Sequence, residues 1–455
     1  MELFNLLAET ITIWGETYSV YLNGIGKAIR WLIDIVGNVG VGIIVFSLLL
    51  KIIVLPFDVY QRISMRKQNV KMKENKEKME KLQKQYANDK EKYNQKVMEM
   101  YRESGISMFS SCLPMILSIV IFMIAIGAFN AYSQYAGVEN YNMMVKAYDA
   151  KLESYCPDVN QDTLSVDGDK LVVKADGNYI YYTVANNANY AENDYAYVKT
   201  AEKTYYVNSD VIYAAEKTAV DEILARKNED GTAVFNTVDE ACKRYLIEQA
   251  QIAVEVAYEE EISEKTKFLW IKNIWATDAV YKHPVLNHSD FKTGAQSEDF
   301  EINGKKADFN DLPLVYHETA YNEITANLAK EKAEPNGFFI LIALSIGTIL
   351  LQQWITMRSQ KEQSQYSTVD GQGAQQQKMT MIIMTVMFAG FSFMYSSAFS
   401  IYMIISSITS LVSTMIINKL VDRHLEKKEE EALQAKYNNR FPGRQYKGNQ
   451  NTNKK

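Results

Sequence analysis

Four stretches of the chain are apolar for long enough to cross a bilayer as helix, which takes about 20 residues. They cover residues 38–57, 112–130, 337–357 and 379–420. The last is too long for one helix, and Tyr395-Ser396-Ser397-Ala398 near its middle predicts a turn between two spans. The pattern therefore predicts five spans, bounded at 38–57, 106–131, 336–357, 379–395 and 398–420. Inside a bilayer the backbone has no water to bond, so each span must be helical.

The polar stretches between them carry patterns of their own. In residues 1–37, Leu22, Ile25, Ile29, Leu32 and Val36 recur at helical spacing with Lys27, Arg30 and Asp34 between them. This predicts an amphipathic helix, either lying on the outer membrane surface or packed on protein. Between Pro56 and Gly105 there is neither proline nor glycine, and helix-favouring Lys, Glu, Gln and Met dominate. Asn88-Asp89 suits a turn, so residues 58–105 predict an antiparallel helical hairpin with arms over 59–86 and 90–103. Met79, Leu82 and Tyr86 face Tyr93, Val97 and Tyr101 across its tip. Residues 132–335 predict a soluble α+β insert. Its strands fall within 171–175, 179–184 and 195–207, with a turn at Asp176-Gly177-Asn178. Two helices follow near 210–227 and 237–262, the second opening with Thr237 and Glu240 at capping-box spacing. The fold class is thus membrane all-α: a five-helix transmembrane core with a cytoplasmic helical hairpin and an inserted extracytoplasmic α+β domain.

Charge sets the orientation. Residues 58–104 hold 13 basic and 8 acidic side chains, Arg358, Lys361 and Lys378 lie in the 358–378 loop, and Lys419 and Arg423 end the fifth span. With five spans these segments share one side, which the positive-inside rule makes cytoplasmic. The N-terminus and the insert then lie outside and the 421–455 tail inside. The insert's 36 Asp and Glu against 20 Lys and Arg agree with that side. Acidic residues precede the first apolar stretch, unlike a cleavable signal peptide. Basic residues of the hairpin, among them Arg66, Lys67, Lys71 and Lys73, suit anionic lipid or ribosomal RNA, or form a solvated face that obeys the orientation rule.

Catalytic and metal chemistry find little support. Three cysteines and four histidines are too few and too scattered for a zinc or disulfide framework. Cys156 and Cys242, both in the insert, are candidates for one disulfide. His283, His288 and His317 fit no metal motif and read as surface residues. No nucleophile elbow, zincin motif, P-loop or paired-carboxylate signature is present, so neither an enzyme nor a cofactor is expected.

One residue stands against its surroundings. Lys51 lies about five residues from the end of the first span among Leu48, Leu49, Leu50, Ile52 and Ile53. A charge at mid-helix costs about 2.5–3.5 kcal/mol on insertion scales and usually faces a wet cavity. The other reading is snorkelling towards the headgroups. No span contains Asp or Glu, so an unpaired cation is expected, near polar groups such as Gln352, Gln353, Thr356 and Ser118.

These pieces, in this order, resemble the YidC/Oxa family of membrane insertases. Gly37-Asn38-Val39-Gly40 through Lys51 to Leu55-Pro56 is similar to the family's first core span. Lys84-Gln85-Tyr86 to Tyr101-Arg102-Glu103, then Gly105 and Cys112-Leu113-Pro114, resembles its hairpin and second span. Phe268-Leu269-Trp270-Ile271 with Asp278 and Pro284 resembles its external connection. Leu351-Gln352-Gln353, Gln376-Gln377-Lys378-Met379, Ile401-Tyr402 and Ile416-Ile417-Asn418-Lys419 resemble the later spans. The resemblance implies a groove open to the cytoplasm and inner leaflet, in which Lys51 takes the place of an arginine and attracts the acidic tails of clients. Gln352 and Gln353 would line that groove. It also implies a bacterial plasma-membrane protein whose partners are nascent membrane proteins, lipids, the ribosome, the signal-recognition apparatus and the Sec translocon. No nucleic-acid sequence would be read. The hairpin and a disordered basic tail, including Arg440 and Arg444, would meet the targeting machinery.

The departures are Lys51 for arginine, Met384-Thr385 for Met-Pro, Tyr395-Ser396-Ser397-Ala398 for Phe-Pro-Ser-Gly, Met403 for an aromatic residue, and a longer insert. A membrane-anchored sensor and a transporter with an external ligand-binding domain are the competing functions. A transporter predicts repeated halves or interrupted spans, which the sequence lacks.

Overall fold

The structure is a computed structural model that describes residues 9–13, 16–20, 24–104, 108–155, 164–167, 170–175, 179–182, 209–296, 300–302, 305–312, 314–359 and 372–440. It is mostly helical. The chain falls into two compact units: one holds residues 1–43, 126–340 and 393–399, the other 44–125, 341–392 and 400–455.

The long helices follow the apolar pattern. Helix α1 covers Gly24–Val36, α2 Val39–Gln85, α3 Lys90–Glu103 and α4 Met108–Glu153. Among the described residues, Val39–Tyr60 of α2, Ile340–Arg358 and Ser397–Leu420 are long and apolar enough to cross a membrane, and Met381–Met394 is a shorter apolar run.

In the second unit, α2 runs without interruption from its apolar half into the first arm of the hairpin. Asp89 caps α3 by accepting a hydrogen bond from the Lys92 backbone N–H (3.0 Å). Met79, Met100 and Tyr101 are buried between the arms, with Leu82 and Val97 packed against them. The Tyr101 hydroxyl donates to Met79 Sδ (3.3 Å), and Asn75 Nδ2 donates to Ser104 Oγ (2.7 Å).

The first unit extends well past the apolar runs. Helix α4 continues to Glu153, because Tyr132, Tyr135, Ala136, Val138, Tyr141, Met144, Val145, Tyr148 and Leu152 recur every three or four residues and are buried. Around it lie α5 (Ser209–Ala215), α6 (Lys217–Leu224), α7 (Val238–Ala257), α8 (His288–Gln296) and α9 (Glu318–Ile324). Helix α7 starts with the expected capping box: the Glu240 N–H donates to Thr237 Oγ1, and the Glu240 carboxylate accepts from the Thr237 N–H. On its apolar stripe Ala241, Cys242, Tyr245, Leu246 and Val254 are buried, whereas Val238 and Val256 are exposed. Tyr141, Phe291, Tyr316 and Tyr321 pack ring to ring, with Tyr141 and Tyr321 centroids 4.6 Å apart. Their hydroxyls find partners: Tyr141 donates to the Val315 carbonyl, Tyr321 to the Leu286 carbonyl and Tyr316 to Asn142 Oδ1.

Two small antiparallel sheets belong to this unit. One has the order β3-β4-β5, from Leu164–Asp167, Lys170–Ala175 and Tyr179–Tyr182. The strand expected within 195–207 lies outside the described residues. The other sheet joins the N-terminal β1 (Glu9–Ile13) and β2 (Glu16–Val20) to β6 (Phe300–Ile302) and β7 (Lys305–Ala307), with Tyr18 opposite Ile302. The sequence reading did not foresee β1 or β2, although Thr10-Ile11-Thr12-Ile13 is β-branched throughout.

Three further long helices are α10 (Ile340–Ser359), α11 (Gln372–Met394) and α12 (Ser397–Arg440). The break between α11 and α12 falls at Tyr395-Ser396, inside the expected turn. One expectation is corrected: residues 421–440 are helix, not disordered tail. Leu425 to Lys436 is almost entirely Leu, Glu, Lys, Ala and Gln, and these helix formers extend α12 beyond its apolar part.

Candidate functional site

Helix α2 presents two faces. Leu48, Leu49, Ile52, Ile53, Leu55 and Phe57 are exposed apolar side chains, as suits a lipid-facing surface. Ser47, Lys51, Val54 and Asp58 recur three or four residues apart on the less exposed side, and Ser47 is fully buried. Helical geometry thus puts Lys51 on the protein-facing stripe.

The expectation of an unpaired cation is overturned. Lys51 Nζ donates to Asp58 Oδ2 at 2.7 Å, with the two side chains 13% and 25% exposed. Asp58 is the first residue past the apolar span 38–57, so it is not among the residues of the span itself. Two helical turns place it about 10.5 Å along the axis on the same face, which the lysine stem and the backward-leaning aspartate close between them. The spacing of seven was the available signal.

The other polar candidates lie on helices other than α2. Gln353 on α10 accepts from the Thr385 hydroxyl of α11 (2.6 Å), which also lies 2.9 Å from the Met381 carbonyl. Gln352 and Thr356 are half-buried on the same helix. No hydrogen bond among the described residues joins Lys51 to Gln352 or Gln353. One turn from its start, α10 contacts α11 again through Ser345 Oγ and Ser392 Oγ, 3.0 Å apart. Ser118 falls within α4, and its side chain lies outside the described residues. Arg66, Lys67 and Lys73 lie on α2 and Arg440 ends α12, also without described side chains, whereas Lys71 is half-buried on α2. Arg444 and Cys156 lie outside the described residues, and Cys242 is buried in α7.

In the first unit, the segment 268–285 ties several helix ends together. Asn336 Oδ1 accepts from the Asn273 N–H (2.7 Å), while Asn336 Nδ2 donates to the Asn273 and Thr277 carbonyls. Buried Asp278 accepts from the Phe338 N–H (2.7 Å), just before α10 begins, where a carboxylate complements the helix dipole. The turn before α12 is held by the Ser397 N–H on the Ala276 carbonyl (2.9 Å), the Ala398 N–H on the Ile274 carbonyl (2.9 Å) and Thr277 Oγ1 on the Tyr395 carbonyl (2.9 Å). Gly40 lies against the Phe268 ring so closely that an added Cβ would sit 2.0 Å from its Cδ2. Helix α1 packs through buried Ile29 and Leu32, with Arg30 donating to Glu139 (3.1 Å), and leaves Trp31 and Ile35 exposed. The three histidines of the insert are not fully exposed: His283 and His288 are half-buried against the Glu334 and Tyr316 carbonyls, and His317 is half-buried beside Phe309.

The family model described as 60Kd inner membrane protein matches residues 31–192 and 251–424, together well over half of the chain. A "Membrane protein insertase YidC" of Caldanaerobacter subterraneus subsp. tengcongensis is 39% identical over 105 residues, 23% of this chain and 48% of that protein. Namesakes in Fusobacterium nucleatum subsp. nucleatum and in a Ruegeria species are 39% and 34% identical, over 20% and 24% of this chain and 43% and 17% of their own lengths. The chain thus spans less than half the length of each of these relatives. No solved structure matches it.

Proposed function

Because the chain belongs to the 60Kd inner membrane protein family, that of YidC, we propose that this multi-pass membrane protein inserts integral membrane proteins and helps them fold. The observation that carries the reading is Lys51: a half-buried ammonium on the protein-facing stripe of an apolar helix long enough to span a bilayer. Five spans, those in α2, α4, α10, α11 and α12, form the core, with Lys51, Gln352, Gln353, Thr356 and Ser118 lining a polar groove between them. The groove opens to the cytoplasm and the inner leaflet. An acidic client tail enters it, drawn by the lysine, while the client's apolar segment moves into lipid. Binding and desolvation drive the step, and the chain performs no chemical conversion.

The basic hairpin 58–105 and the tail 421–455 face the cytoplasm, where they meet the ribosome, the targeting apparatus and the Sec translocon. Charge supports this orientation. Residues 132–335 form the external α+β insert, and the family match breaks over residues 193–250 within it. In cells that depend on this protein, Lys51→Arg is expected to retain insertion of clients with acidic tails, and Lys51→Ala to lose it. Equal insertion by both variants would remove the charge from the mechanism.

A further inference from the structure

The Lys51–Asp58 pair asks something of any acidic client, because the ammonium already has a carboxylate 2.7 Å away. We propose that Asp58 is a tethered competitor for Lys51 that the client's tail must displace, and that it thereby sets how many acidic residues a tail needs. This rests on the insertase reading above.

Asp58 and Lys51 share one helix, so the competitor is permanently present at a high effective concentration. The two side chains are largely but not wholly buried, so the pair is shielded enough to matter and open enough to exchange. Closing the pair also cancels the net charge of this stretch, and a single client carboxylate then meets a neutral pair rather than a bare cation. A tail with several carboxylates supplies repeated attempts and a stronger field. It outcompetes Asp58 where a lone acid does not. The pair offsets the penalty of an isolated ammonium while the groove is empty, and the groove thus rests in a closed-charge state.

The test uses membrane vesicles that carry the full-length protein as their insertase. The clients are single-span proteins whose translocated tails bear zero, one, two or four aspartates. With the parent protein, insertion is expected to rise sharply only from two aspartates upwards. With Asp58→Asn, the one-aspartate tail is expected to insert about fivefold better than with the parent, the ratio for removing a partly exposed ion pair. The uncharged tail should be unchanged, and Asp58→Glu should follow the parent. The proposal is overturned if Asp58→Asn leaves the one-aspartate tail unimproved or raises every tail equally. It is also overturned if that variant fails to accumulate, since the pair is then a structural brace. A parent that inserts no client, or a Lys51→Ala variant that inserts all of them as well as the parent, brings down the insertase reading itself.

Discussion

Lys51 and Gly40 both lie on α2, and each shows how one position constrains the site. Lys51 brings a charge that its helix pairs with Asp58, two turns away. Gly40 brings the absence of a side chain, which lets the Phe268 ring lie against the backbone. Gly40→Ala forces that ring aside and is expected to destabilise the protein by about 1–3 kcal/mol, the usual range for overpacking. Thermal unfolding in detergent reads the loss, and an unchanged midpoint would mean that the ring moves freely. Lys51 itself was legible in the sequence because a cation among leucines and isoleucines is chemically conspicuous. Asp58 was not, because it sits one residue outside a boundary drawn by hydropathy, and hydropathy says nothing about how far a lysine stem reaches.

At the scale of elements, periodicity and capping carried the sequence reading furthest. The second hairpin arm at Lys90–Glu103, the α11–α12 break and the Thr237–Glu240 capping box all lie where local chemistry puts them. Thr237→Ala removes the side-chain acceptor that caps α7 and is expected to cost about 1 kcal/mol, visible as a lower unfolding midpoint. Among the elements misjudged, two have clear physical reasons. Beyond residue 131 the buried α4 stripe mixes tyrosines with aliphatic residues and alternates with polar ones, so apolar length ends before the helix does. The strand β2 is half polar and pairs on one side with its neighbour β1 and on the other with β6, about 280 residues away, a pairing that no local pattern specifies.

The whole molecule responds to pH through groups buried outside the membrane spans. Burial pushes the Lys332 ammonium down to about 8, beside the Tyr321 ring and the Thr325 hydroxyl. Unfolded, a lysine titrates near 10.4, so between these values the unfolded chain holds the extra proton and stability rises with pH. Burial also raises the Tyr316 and Tyr321 hydroxyls. Their contribution is complete below the ordinary tyrosine value of about 10 and is lost as pH rises past it. The unfolding midpoint is therefore expected to climb from about pH 8 towards 10 and then fall, and Lys332→Met should flatten the climb. The central claim remains that client proteins pass Lys51. It is tested most directly by a photocrosslinking residue at Val54, one turn along the same stripe, in ribosome–nascent-chain complexes stalled during insertion. Adducts with nascent membrane proteins are expected, and they should weaken when acidic residues are removed from the client's tail. Absence of any such adduct, in membranes whose insertion depends on this protein, would contradict it.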